Sequence, residues 1–232
     1  MASYLQTTHA KQDARFALYL VQQTEDNRKF NRGQLLNAAF KQASADNPIV
    51  SVVLHDCDLL PPPGLREWYA RTPDRGQPMH LACSATWKKY EKLQSQGYDF
   101  FGGVTTFHPA DFESCNGFPN DFWGWGMEDD ALRLRAAASG ATSKGVLRPP
   151  SDIGFYTDLD PVVMLEHLAG TPGEEALHIL NEHMLDPTRA ALKREWKLCN
   201  GLCDLQARII SRRIRLLDEK FCYVHLMCEL HS

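Results

Sequence analysis

The run Ile49-Val50-Ser51-Val52-Val53-Leu54 stops abruptly at His55-Asp56-Cys57-Asp58. Short, nearly continuous and β-branched, it predicts a strand buried on both faces, which needs covering layers on either side. Acidic residues at the carboxyl end of such a strand stand where open α/β sheets bind ligands. Side chains two apart on a strand face the same way, so Asp56 and Asp58 can address one ion or one hydroxyl. Their hard oxygens suit Mg²⁺ or Mn²⁺, which can neutralise a diphosphate. A turn entered through Asp is the plain alternative, because Asp-x-Asp by itself is common.

The flanking sequence alternates between the two structural periods. Ala14 to Val21 predicts a strand, and Gly33 to Ala45 a helix, with Leu35, Leu36, Ala39 and Phe40 at helical spacing before the stop at Asp46-Asn47-Pro48. Met79 to Ser84 and Phe101 to Phe107 predict strands on either side of a polar, Lys-rich stretch. Asp111 to Cys115 predicts a helical turn, Asn116 to Asn120 a loop, and Glu128 to Ala138 a helix closed by Gly140. Strands alternating with helices indicate an α/β fold. Beyond Pro150 the texture changes. Gly154 to Trp196 is expected to be a helical insertion, amphipathic from Pro161, and Phe221 to Leu230 a closing strand. The length of 232 residues favours a single domain over 1–232, with a core at 14–150 and the helical segment plus strand at 151–232.

Composition removes several classes of function. Twenty-five Lys+Arg against 29 Asp+Glu, with 44% hydrophobic residues, describe an ordinary globular chain rather than a disordered one. The mild acidity argues against an extended nucleic-acid surface, since the one basic cluster, Arg208 to Arg215, is short. No apolar run approaches the roughly 20 residues of a membrane span, and Met1 to Ala14 lacks a signal-peptide layout. Seven cysteines leave at least one unpaired, or all reduced. Cys199 and Cys203 lack the second ligand pair that zinc needs. No internal repeat, P-loop, Rossmann glycine fingerprint or Gly-x-Ser-x-Gly is present.

A second acidic group, Glu128-Asp129-Asp130, lies at a predicted helix start, where first-turn capping would explain it. Capping does not explain the approach, Trp123-Gly124-Trp125-Gly126, which alternates aromatic platforms with residues that let a ligand reach the backbone. Flat indole surface beside carboxylates suits a sugar ring. Core packing is the simpler role for Trp123, less so for Trp125. Gly102-Gly103 marks backbone near a ligand, or a bulge. His55 precedes the acidic pair and is placed to support it, whereas His80, His108, His167, His178 and His183 lack a partner pattern.

Together, Phe30-Asn31-Arg32-Gly33-Gln34-Leu35-Leu36-Asn37, His55-Asp56-Cys57-Asp58-Leu59-Leu60-Pro61, Phe101-Gly102-Gly103-Val104 and the run Asn116-Gly117-Phe118-Pro119-Asn120-Asp121-Phe122-Trp123 through Asp130 resemble the β-1,4-galactosyltransferase family, glycosyltransferase family 7. The likeness runs from about Tyr19 to Arg135, with a weaker echo to the C-terminus at Asn200-Gly201-Leu202 and the closing strand, and His-Asp-x-Asp-Leu-Leu-Pro looks closest to the xylose-directed branch. It implies a GT-A fold: a mixed sheet flanked by helices, with a C-terminal helical insertion and final strand. It also implies a UDP-sugar donor, Mn²⁺, and inversion at the anomeric carbon. By motif, Asp129 would be the general base, and Asn31, Arg32, Asp56, Asp58, Gly102, Gly103 and Trp125 would serve the donor. Phe100, Trp125, Glu128, Asp129 and Asp130 would serve the acceptor, a glycan, glycoprotein or proteoglycan.

Three departures from the family pattern set further expectations. The family's Pro-Phe-Arg-x-Arg strand has no match before Ala14, which predicts an N-terminal truncation or an incomplete donor site, and a non-catalytic sugar- or nucleotide-binding remnant as one alternative. The family's later metal ligands are replaced by Gly154-Phe155-Tyr156-Thr157-Asp158-Leu159-Asp160, so Asp58 would be joined on the metal by Asp158 or Asp160, unless these two acids cap a helix. Phe100 stands where the family usually has Tyr, at a position that tunes donor choice, so N-acetylgalactosamine or another hexose is an alternative to galactose. A glycosidase could also use paired carboxylates, but would need no metal motif. The resemblance implies a Golgi lumenal location, with any membrane attachment through an anchor absent from this sequence; without one, a cytoplasmic protein is the alternative.

Overall fold

The computed structural model describes residues 1–12, 14–85, 100–159, 192 and 195–231. The expected helical segment from Pro161 falls almost wholly outside these residues, as do Asp160 and most of the Lys-rich stretch after Ala85. Helix α1 (Ala2–Gln12) leads into strand β1 (Phe16–Gln23), then α2 (Arg32–Asp46), β2 (Val52–His55) and β3 (Leu59–Leu60). Next come α3 (Arg66–Ala70), β4 (Met79–His80), β5 (Ser84–Ala85), β6 (Val104–Phe107), α4 (Pro109–Ser114) and α5 (Glu128–Ser139). Strand β7 (Phe155–Asp158) and a long hairpin, β8 (Ala207–Asp218) with β9 (Phe221–Leu230), complete the described elements.

Three small sheets result. In the first, β9 lies between parallel β1 and antiparallel β8; in the second, β6 lies between β2 and β4, antiparallel to both. The third sets β7 between antiparallel β3 and parallel β5. This is a mixed α/β architecture. It differs from the expected elements in five respects. The strand after Ile49 begins at Val52, and only Leu54 in it is fully buried; β2 is the outer strand of its sheet, paired through β6. Met79 to Ser84 divides into two two-residue strands that join different sheets, and the strand expected from Phe101 begins at Val104. Gly154 to Trp196 opens as strand β7 rather than as helix, since Leu59 and Leu60 offer it a ladder. The closing element is a hairpin, and its first strand contains the whole basic cluster: Arg208 pairs with Glu229 and Arg212 with Asp46.

Aromatic packing holds α2, β6 and α4 together. Phe112 sits 4.9 Å from Phe40, 5.7 Å from Phe107 and 6.1 Å from Phe118, ring centre to centre, and all four rings are buried. A second cluster, with Leu5, Tyr69, Met79, Leu81, Val104, Tyr156 and Phe221, supports the loop after β2 from below. None of the seven cysteines forms a disulfide. Among the described residues no helix is long and apolar enough to cross a membrane.

Buried area predicts where the fold is sensitive. Phe112→Ala is expected to cost about 3–5 kcal/mol, while Leu216→Ala, at a side chain 77% exposed, should stay within about 0.5 kcal/mol. Urea midpoints at constant slope would measure both.

Candidate active site

The residues after β2 form a tight turn rather than a continued strand. Asp56 N–H donates to the Gly103 carbonyl at 2.9 Å, and Leu59 N–H returns to the Asp56 carbonyl at 3.4 Å. The two acids therefore do not share one strand face. Asp56 turns to Arg32, whose Nε donates to its carboxylate at 2.6 Å. Asp58 lies beside β7: Leu59 pairs with Asp158, and Leu159 N–H donates to the Asp58 carbonyl at 2.8 Å. Burial raises the Asp58 pKa, and the negative charges of Asp56 and Asp158 raise it further.

Arg32 is the first residue of α2. Asn31 caps that helix, its Oδ1 accepting from Gln34 N–H at 2.9 Å while its Nδ2 donates to the Asn120 carbonyl at 2.8 Å. Asn31 is wholly buried, so its amide is spent inside the protein and not on a ligand. Arg32 reaches from this anchored position to Asp56 and, at 3.5 Å, to Glu128. Burial alone would lower its pKa, but the charges of Asp56, Glu128 and Asp129 reverse the shift and keep it ionised.

Helix α5 begins through backbone that L-residues rarely adopt. Gly124, Gly126 and Met127 have φ of 109°, 98° and 72°. A positive φ at a non-glycine residue is a local strain that surrounding structure must sustain. It delivers Glu128, Asp129 and Asp130 to the site in the first turn. The Glu128 side chain is 14% exposed, and its Oε2 is a buried oxygen with no hydrogen-bond partner. Burial raises its pKa and Arg32 opposes the rise. Asp129 is raised well above the ordinary carboxylate value, by burial first and then by the charges of Glu128 and Asp130.

Asp129 lies directly over Gly102. A Cβ on Gly102 would stand 1.9 Å from Asp129 Oδ2 and 2.8 Å from the Phe100 ring, so only glycine fits. His80, which has no partner pattern in the sequence, secures this contact. His80 is fully buried and its Nε2 donates to the Gly102 carbonyl at 2.9 Å, while Arg148 Nε donates to His80 Nδ1 at 3.3 Å. Arg148 also holds the Phe100 carbonyl at 3.1 Å. Sequence separations of 22 and 68 residues leave no local signal of this brace.

The structure thus gathers Arg32, Asp56, Glu128, Asp129, Phe100, Gly102 and Gly103, with Asp58 and Asp158 beside the turn. Trp123 packs against the sheet of β1, β9 and β8 under Arg28, whereas Trp125 is 39% exposed. No described contact joins Trp125 to the carboxylates. Among the described residues, no group of three or more His, Cys, Asp or Glu side chains converges as a metal cage. Asp58 and Asp158 still fit a hard cation. The Asp58 carboxylate forms no ion pair among the described residues and is crowded by like charge, an arrangement that a cation would relieve.

Two family models match the sequence, one described as the N-terminal region of glycosyl transferase group 7 over residues 1–69, the other as the N-terminal domain of galactosyltransferase over residues 80–162. Between them they take in the turn after β2, Gly102-Gly103 and the start of α5. The chain belongs to the β-1,4-galactosyltransferase family. The match begins ahead of the expected start near Tyr19. Rat β-1,4-galactosyltransferase 6 is 40% identical over 149 residues, 64% of this chain and 36% of that protein. Human β-1,4-galactosyltransferase 3 is 34% identical over 204 residues, 88% of this chain and 46% of that protein. The chain spans less than half the length of these curated relatives. Among solved structures, a mutant of Drosophila β-1,4-galactosyltransferase 7 in complex with manganese, UDP-Gal and xylobiose superposes with a TM-score of 0.70 at 21% identity, covering 99% of this chain and 87% of that one. That likeness establishes the GT-A fold.

In a family member so arranged, Gly102→Ala must displace the Asp129 carboxylate. A misplacement of about 1 Å lowers turnover about 100-fold, and steady-state kinetics should read that loss while circular dichroism stays native.

Proposed function

We propose that this chain carries the catalytic site of a metal-dependent inverting glycosyltransferase, which transfers galactose from UDP-galactose to a sugar hydroxyl and forms a β-1,4 linkage. The carrying observation is Asp129: a carboxylate with a raised pKa, fixed over Gly102, beside an unpartnered Glu128 oxygen and the Arg32–Asp56 pair. A carboxylate of raised basicity is suited to take a proton as a hydroxyl attacks. The acceptor O–H proton passes to Asp129, the acceptor oxygen bonds to C1, and the bond from C1 to the diphosphate oxygen breaks with its electron pair leaving on UDP. A single displacement inverts the α-linked donor to a β product.

The free Glu128 oxygen is placed to bind a sugar hydroxyl, and Arg32 holds Asp56 and Glu128 in register with each other. Asp58 and Asp158 would hold Mn²⁺, and Asp160 is a further candidate. When bound, the cation supplies Lewis-acid stabilisation of the charge developing on UDP. Trp125 offers an exposed face for stacking on the sugars. The complexes of the Drosophila relative with manganese, UDP-Gal and xylobiose support this choice of donor, cation and acceptor class. A Golgi lumenal site of action follows from the same reading.

Turnover of UDP-galactose and UDP-N-acetylgalactosamine, with and without Mn²⁺, against xyloside and N-acetylglucosaminide acceptors tests the proposal. Acceptor-dependent, Mn²⁺-dependent UDP release from UDP-galactose is expected. Metal-independent hydrolysis, or silence with every pair in a folded protein, would overturn it. Asp58→Ala should weaken Mn²⁺ binding as followed by calorimetry.

Asp129→Asn should reduce transfer by about 10²–10⁴-fold while UDP binding persists. It should also stabilise the fold near neutral pH. With the folded pKa above the ordinary carboxylate value, the unfolded chain loses this proton first as pH rises, so native stability falls across that interval. The Tm gain of Asp129→Asn should vanish below the ordinary carboxylate pKa. In the wild type, kcat/KM should rise with pH through the raised pKa.

A further inference from the structure

His55, Tyr69 and Tyr156 come from three separate elements and meet beneath the turn that carries Asp56 and Asp58. His55 Nδ1 lies 2.6 Å from the Asp56 carbonyl, His55 Nε2 lies 2.8 Å from the Tyr69 hydroxyl, and that hydroxyl lies 2.8 Å from the hydroxyl of Tyr156. Tyr69 and Tyr156 are buried, at 4% and 0% exposure. A carbonyl oxygen only accepts, so Nδ1 carries the proton. In the neutral ring Nε2 must then accept from Tyr69, and Tyr69 oxygen accepts from Tyr156. Every bond in the chain has one possible direction.

The Asp56 carbonyl is the acceptor of the turn's own closing bond from Leu59 N–H, which at 3.4 Å is long. His55 reinforces that oxygen from the other side. At the far end, Tyr156 belongs to β7, whose Asp158 pairs with Leu59. The same three side chains thus connect the strand of one candidate cation ligand to the turn of the other. Satisfied chains of this kind hold a single geometry, because a broken link leaves a buried polar atom without a partner.

We propose that His55, Tyr69 and Tyr156 form a one-way hydrogen-bond relay that positions the Asp56–Asp58 turn against Asp158 for binding of a divalent cation. All three are positioning residues. The proposal rests on the assignment of Asp58 and Asp158 to the cation.

Residues that orient metal-binding groups change affinity by about 10–100-fold when altered. Tyr69→Phe removes the hydroxyl that donates to His55 Nε2 and should raise the Mn²⁺ Kd about tenfold by paramagnetic resonance titration. Tyr156→Phe, which leaves the His55–Tyr69 bond intact, should do less. His55→Asn keeps an N–H near the Asp56 carbonyl and should recover part of the affinity lost in His55→Leu. Tyr4→Phe removes another tyrosine hydroxyl nearby, bonded to the Pro62 carbonyl, and should leave Mn²⁺ affinity unchanged. Nitrogen-15 spectra of the wild type should find the His55 proton on Nδ1.

Wild-type Mn²⁺ affinity in both Tyr69→Phe and His55→Leu would overturn the relay, and so would a His55 proton on Nε2. Failure of the wild type to bind Mn²⁺ would overturn the cation assignment instead. In that case amide exchange at Leu59 decides the relay: acceleration in Tyr69→Phe but not in Tyr4→Phe supports it, and unchanged exchange overturns it.

Discussion

Arg32 is the cation about which the candidate site is organised. Asp56 comes from the turn after β2, and Glu128 and Asp129 from the start of α5, yet their charges converge on one guanidinium. Without it, burial and mutual repulsion would drive these acids apart or force protons onto them. An arginine in the first turn of a helix stands at the wrong end of the helix dipole. The carboxylates offset that penalty, and the Asn31 cap, fastened to the Asn120 carbonyl, prevents the helix start from yielding.

Around this centre the backbone is shaped by what must be left out. Gly102 has no side chain because Asp129 occupies the space, and His80 with Arg148 keeps its carbonyl from moving away. Left-handed conformations at Gly124, Gly126 and Met127 turn the chain sharply enough to bring three consecutive acids to bear on the turn after β2. The result separates two kinds of carboxylate. Asp56 is paired with Arg32, whereas Asp129 keeps a raised pKa because it is buried and its neighbours Glu128 and Asp130 are acids. On the proposed reading, proton acceptance and cation binding fall to different residues of one acidic cluster.

Much of the local structure was legible in the sequence. Helical spacing placed α2 to within a residue at each end, and the acidic run followed by Gly140 marked α5 well, with Gly140 in the left-handed closing conformation. The division between a packed Trp123 and an exposed Trp125 was also readable. The failures concern pairing partners. A six-residue apolar run at Met79 became two fragments in separate sheets, and the arginines of β8 masked a strand whose alternation is settled by its pairing with β9.

Sequence by itself determined which residue types stand together along the chain: an Asp-x-Asp after an apolar run, a double glycine, and three acids behind alternating tryptophans and glycines. Those patterns are set by spacing over a few residues, which is also why the family is readable from them. Only the tertiary structure decided the partner of each group: that Asn31 is a buried cap, that Asp56 belongs to Arg32 and Asp58 to the side of Asp158, and that His55 and His80 each orient a backbone carbonyl. The physical reason is that charge pairing, desolvation and hydrogen-bond direction act across space, between residues that chain order keeps far apart.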